Sequence, residues 1–283
     1  LFKQTGISWG RNKAARMAAA LSYFTVLSLS PLLVVAVGIA GIFFGPTMVE
    51  SSIMGQIALI AGPEISLAIN SVISDVTHPQ NTVVAGGLSF LILFYGASNI
   101  FNQLQDALNT IWHVRPKGRE GVWLYLRRRA LAFIWVLGVG IIVTALLVAS
   151  TVIATVNNYL QEQAPPIFFR VLPTLDLAFS LILLTTTFAI MFKGLPNTAV
   201  DFRDVMWGSV LTAVLFTLGK YGLSFYLSRG SVGSAYGAAG SLIVILVWVY
   251  FSGQIFFFGA EFTKAYADMF GSRKTQEPSD PLS

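Results

Sequence analysis

Val83-Val84-Ala85-Gly86-Gly87-Leu88-Ser89-Phe90-Leu91-Ile92-Leu93-Phe94-Tyr95-Gly96-Ala97 runs straight into Ser98-Asn99-Ile100-Phe101-Asn102-Gln103-Leu104-Gln105-Asp106-Ala107-Leu108-Asn109. No proline or charge cluster divides the two halves, so the pattern predicts one helix. On it Asn99, Asn102, Asp106 and Asn109 fall at spacings of three, four and three, which is one face, with Gln103 beside it. Ile100, Phe101, Leu104 and Leu108 hold the other face. An apolar helix with a polar stripe at one end needs a membrane for its first half and a wet or bonded environment for its second.

Composition agrees. Of 283 residues, 55% are hydrophobic and 11% charged, against about 25% charged in a soluble domain. The mean hydropathy is +0.70. This predicts an all-α integral membrane protein. The pI of 9.5 does not point to nucleic acid, because the positive charges sit at the ends of apolar runs. With no cysteine and only His78 and His113, thiolate and histidine-rich metal sites are excluded, as is a cysteine nucleophile. No cofactor is expected. The chain opens on Leu1, which suggests a native start further upstream, and its first 20 residues lack the pattern of a cleavable signal peptide.

Six spans are expected, at about 18–44, 82–108, 130–156, 172–192, 205–227 and 238–262, in a single membrane domain over 1–271. Pro31 should kink the first. The 45–81 loop holds two amphipathic pieces split at Gly62-Pro63, with Ile65, Ile69, Val72 and Val76 as one apolar stripe. Neither is long enough to cross, so both are read as helices at the outer face or packed over the bundle. Residues 272–283 read as a disordered tail.

Lys3, Arg11, Lys13, Arg16, the six basic residues of 109–130, Lys193, Arg203, Lys264, Arg273 and Lys274 fall on one side. Only Arg170, Lys220 and Arg229 fall on the other. This asymmetry predicts a bacterial inner-membrane protein with both termini, and the Asn99–Asn109 stripe, on the cytoplasmic side.

Several segments resemble the YihY/BrkB family of bacterial inner-membrane proteins. They are Ala14 through Phe24 with Ser28-Leu29-Ser30-Pro31, Ala107-Leu108-Asn109-Thr110-Ile111-Trp112, Leu195-Pro196-Asn197 with Trp207-Gly208, and Tyr236 through Ser241 on to Phe258-Gly259-Ala260-Glu261. The resemblance covers roughly 10–268 in the expected order. It implies six spans. It also implies a link to serum resistance, lipid-related envelope functions or solute export, and it carries an old, mistaken ribonuclease label.

The candidate cavity residues are Asn99, Asn102, Gln103, Asp106, Asn109, Tyr23 and Glu261. An ionisable side chain within a span is costly, about 2.5–3.5 kcal/mol on insertion scales, and usually faces a cavity or a partner. The structural alternative is that the stripe bonds neighbouring helices or ends in water. Glu261 and Lys264 read either as an i, i+3 ion pair or as part of the cavity. Lys220, Arg127, Arg128 and Arg129 are candidates for lipid headgroups, with snorkelling and topology as the alternatives. No catalytic constellation or metal cluster stands out, so an enzyme is not expected. The favoured reading is a transporter or flippase moving a polar-headed lipid or small solute through a cavity open to the cytoplasm. The alternatives are an envelope-assembly scaffold and, least favoured, a ribonuclease. Membrane lipids, a small-molecule or lipid substrate, and a homo-oligomeric or envelope-assembly partner are the expected associations.

Overall fold

The computed structural model describes residues 1–28, 54, 58, 65–67, 69–70, 99–114, 168–229 and 240–272. The expected span at 130–156, most of those at 18–44 and 82–108, Pro31, Gly86-Gly87, Arg127, Arg128, Arg129 and the tail after 272 lie outside the described residues. Every described element is helical. They are α1 (Phe2–Arg11), α2 (14–28), α3 (99–111), α4 (Phe168–Gly194), α5 (Phe202–Arg229) and α6 (Gly240–Met269). Among the described residues, three stretches are long and apolar enough to cross a membrane: Leu177–Gly194, Phe202–Leu227 and Gly240–Met269.

Local chemistry sets the ends of these helices. α4 stops at Gly194, followed by Pro196, which cannot continue a helix. Asp201 caps α5, its Oδ1 accepting the Arg203 N–H at 2.9 Å. α6 continues past Phe262, where the apolar run ends, because Ala265, Tyr266 and Ala267 are compatible with helix. It closes where the N–H groups of Phe270 and Gly271 both reach the Tyr266 carbonyl, at 2.8 and 3.0 Å. Buried Asp204 ties the two ends together: its Oδ2 accepts from Ser272 N–H at 3.1 Å and from Ser272 Oγ at 2.7 Å.

α5 and α6 meet through small residues. A Cβ on Gly208 would strike the Thr263 hydroxyl, and one on Gly259 would strike the Thr212 hydroxyl. Each threonine turns its hydroxyl back into its own helix. Thr212 Oγ1 donates to the Gly208 carbonyl at 2.6 Å, and Thr263 Oγ1 donates to the Gly259 carbonyl at 2.8 Å. Helices in lipid gain no hydrophobic energy by associating, so close approach and dispersion must hold them. Two Gly-x-x-x-Thr patterns, one per helix, supply that approach. Further along, Phe188 and Phe192 of α4 pack with Phe256 of α6, at centroid distances of 6.2 and 5.0 Å. Phe216 of α5 joins Phe188 at 5.7 Å.

The opposite face of α6 receives the N-terminal part of the chain. A Cβ on Gly253 would lie 3.2 Å from that of Ala18, so α2 crosses α6 there. Ala14, Ala18, Leu21, Phe101, Leu108, Ile111 and Trp112 belong to the same core as Phe256 and Phe257. At the other end of the bundle, Ile65 and Ile69 are buried against Leu227, Val244, Ile245 and Val249. Those two residues of the amphipathic stripe pack over the helices.

Overpacking the α5–α6 contact should destabilise the fold. Gly208→Val and Gly259→Val are expected to lower thermal stability in detergent by about 1–3 kcal/mol each. Gly222→Ala, whose new methyl meets nothing within 4 Å, should not. Equal melting temperatures for all three variants would show that the close approach is not needed.

Candidate functional site

The helical period of α6 sorts its last turns into two faces. Gly259 and Thr263 point at α5, so Glu261, Lys264 and Asp268 at i, i+3 and i+7 fall on the other side. Trp207 and Tyr266 pair their rings at 6.2 Å and mark the level of this end; aromatic side chains of this kind favour membrane interfaces. Glu261 lies five residues inward of Tyr266, or about 7.5 Å along the helix.

Glu261 is 1% exposed. Its Oε1 accepts a 2.6 Å hydrogen bond from the Asn12 side-chain amide. Its Oε2 is buried with no hydrogen-bond partner. Leaving a buried acceptor unsatisfied costs about 1–3 kcal/mol, and more for a charged group. Arg11 and Lys264 lie close enough to act on Glu261 through their charge.

Asn12 reaches Glu261 because α1 lies over the end of α6. Phe2, Thr5, Trp9 and Asn12 recur at three, four and three on one face of α1. Phe2 sets its ring 5.4 Å from that of Phe262, Thr5 is fully buried, and Trp9 packs on the core. The outer face keeps Ile7 and Lys3 exposed. The chain leaves α1 through Lys13, which has φ 56°, a left-handed conformation unusual for a residue with a side chain.

Lys264, at i, i+3 from Glu261, acts on it through its charge and also reaches the end of α3. Its Nζ lies 2.6 Å from Nδ1 of His113. An ammonium only donates, so Nδ1 accepts and the ring proton sits on Nε2. His113 sits just beyond α3 with φ 53°. Burial, then the charges of Lys264 and Arg11, lower its pKa below the ordinary 6.5, opposed by Asp268. Lys264, His113, Arg11 and Asp268 thus form a charged rim outside the buried carboxylate.

The other sequence-derived candidates distribute differently. Asn99, Asn102, Gln103 and Asn109 are half-buried on α3, and Asp106 is exposed. Asn109 joins α3 to the turn after α4: its Oδ1 accepts the Asn197 N–H at 2.8 Å. Gln105 donates from Nε2 to the Leu195 carbonyl at 3.1 Å. Tyr23 is exposed on α2, edge-on to Phe24. Lys220 lines a groove between α5 and α6 with Gly219, Leu223, Trp248, Ser252 and Ile255, its Nζ 5.2 Å from the Tyr221 ring centroid. Asn12, His113 and Gln105 were not singled out from the sequence. The periodic face of α1 was the signal available for Asn12.

The family described as Virulence factor BrkB matches residues 8–282. A UPF0761 membrane protein of Vibrio vulnificus strain YJ016 is 29% identical over 285 residues, covering 97% of this chain and 87% of that protein. A UPF0761 membrane protein of Kangiella koreensis is 27% identical over 255 residues, covering 89% of this chain and 60% of that protein. One from Ralstonia nicotianae is 29% identical over 257 residues, 89% of this chain and 55% of that protein. The chain therefore spans less than two thirds of the length of the last two relatives. No solved structure matches it.

Because folding favours neutral His113, the unfolded chain takes up a proton first as the pH falls below 6.5. The stabilisation from its neutral form is complete above 6.5 and lost as the pH drops below that value. NMR titration should place the His113 pKa below 6.5, and Lys264→Met should move it upward. An unchanged value in that variant would remove Lys264 as a cause.

Proposed function

We propose a transport role for this chain, which belongs to the BrkB family of membrane proteins. In this reading it is a six-span transporter or flippase of the bacterial cytoplasmic membrane, with both termini in the cytoplasm, moving a polar-headed lipid or small solute. It is not an enzyme. The observation that carries the reading is Glu261, a buried carboxylate in a helix apolar enough to span, with one oxygen bonded to a surface helix and the other without a partner. Ionisable side chains at such depth are retained where a cavity or moving ligand uses them.

The basic residues gathered at the α1 end support the cytoplasmic orientation. Asn99, Asn102 and Gln103, half-buried on α3 at the same end, would extend a polar path from the surface, with membrane lipids against the exposed Leu218, Tyr221, Phe225 and Phe251. Asn109 and Gln105 serve this arrangement by holding α3 to the turn after α4.

Proteoliposomes test the proposal. Fluorescent-lipid scrambling and solute efflux should both be assayed with the wild type, Glu261→Gln and Asp106→Ala. One of the two activities is expected, and Glu261→Gln should lower it by about tenfold or more, as removing a bond to a charged group does. Exposed Asp106 should matter less. Absence of both activities, with a stoichiometric co-purifying protein, would favour a scaffold. Metal-dependent cleavage of RNA by the purified protein would overturn the proposal.

A further inference from the structure

The Glu261 site has features that select among ligands. A carboxylate is acceptor-only, with two oxygens that each want a donor. Here one oxygen takes a single neutral amide N–H and the other takes none, although the residue is only 1% exposed. Lys264 and Arg11 act on the carboxylate through their charge, Lys264 with its Nζ 2.6 Å from His113 Nδ1 and Arg11 exposed. The lone partner comes from Asn12, the residue immediately before the left-handed Lys13. It therefore sits at the end of α1, outside the three membrane-length helices.

Beside the carboxylate lies the opposite chemistry. Lys264 carries an ammonium, Arg11 a guanidinium, and His113 an Nε2–H left over from its bond to Lys264. Asp268 is the acidic neighbour and tempers, without cancelling, the positive pair of Lys264 and Arg11. Negative charge sits deep and positive charge sits at the rim. A ligand matching both would carry an amine at its tip and an acidic group behind it.

Resting on the transport reading above, we propose that this site binds a zwitterion, its ammonium seated on Glu261 in place of the Asn12 amide and its phosphate or other acidic group on Lys264, Arg11 and His113. An ammonium brings three donors and a full charge, so it satisfies both oxygens where the amide satisfies one. Entry requires α1 to swing away about Lys13, and Ile7, 59% exposed on its outer face, gives the displaced helix an apolar contact for the membrane interface. The same chemistry is offered by an aminophospholipid headgroup and by a soluble amino-phosphate or amino acid.

Binding to the full chain is measured by thermal shift and calorimetry. The soluble probes are phosphoethanolamine, ethanolamine and methyl phosphate; the lipid probes are nanodiscs of phosphatidylethanolamine or phosphatidylglycerol. Phosphoethanolamine or phosphatidylethanolamine should stabilise the wild type at least about tenfold more tightly than the probe lacking the amine. Glu261→Gln should erase that preference while keeping the fold, since it removes the buried charge and not the volume. Lys264→Met should weaken the zwitterion and leave ethanolamine unaffected. A response to the soluble probe alone marks a solute, and a response to the lipid alone marks a headgroup; both support the assignment. Equal binding of methyl phosphate and phosphoethanolamine, an amine preference surviving in Glu261→Gln, or no binding of any probe would overturn it. Flux without an amine preference would defeat this assignment and leave transport standing, whereas amine-selective binding without flux would do the reverse.

Discussion

Backbone-close contact between α5 and α6 governs what the rest of this protein can do. With Gly208 under Thr263 and Gly259 under Thr212, the two helices cannot rotate about their axes without a clash. That fixes which side of α6 faces outward from the pair. The helical period then places Glu261, Lys264 and Asp268 together on the far side, level with the ends of α1 and α3. In lipid, where apolar surface gives no preference for one helix face over another, a tight small-residue seam is an effective way to set such an orientation.

The polar face is not satisfied by its own helix. Asn12 comes from α1 to meet Glu261, and His113 comes from the end of α3 to meet Lys264. Both supplying segments end in residues with positive φ, Lys13 and His113. Strained conformations of about 1–3 kcal/mol persist only where surrounding contacts impose them, and here those contacts are the docking of α1 and α3 on the core. A buried acid, a removable cover and a basic rim are thus assembled at one end of three membrane-length helices. The groove around Lys220 at the other end of α5 shares none of these groups.

The helical class and membrane character were legible because long apolar runs and few charges leave no other stable solution. The polar stripe of α3 was legible as a face, but what the helix bonds was not. Asn109 and Gln105 bond a turn some 90 residues away in sequence, and periodicity carries no information about that distance. Glu261 was visible as an acid in a span. Its spacing to Lys264 was legible too, but not that lysine's contact with His113, 151 residues distant. The paired Gly-x-x-x-Thr patterns and the Phe2-Thr5-Trp9-Asn12 face could have been found from their periods. What each face touches required the fold.

If α1 covers Glu261 and lifts when an amine replaces the Asn12 amide, its distance from α5 must change. The chain has no cysteine, so two introduced cysteines would be the only spin-label sites. Gly6 on α1 and Gly222 on α5 suit this use, because a side chain added at either meets nothing within 4 Å. Pulsed electron–electron resonance between them should show one distance distribution in the free protein and a shifted one with phosphoethanolamine or in phosphatidylethanolamine nanodiscs. The shift should vanish in Glu261→Gln. A distribution unchanged by both probes, or shifted equally in the wild type and that variant, would contradict the account.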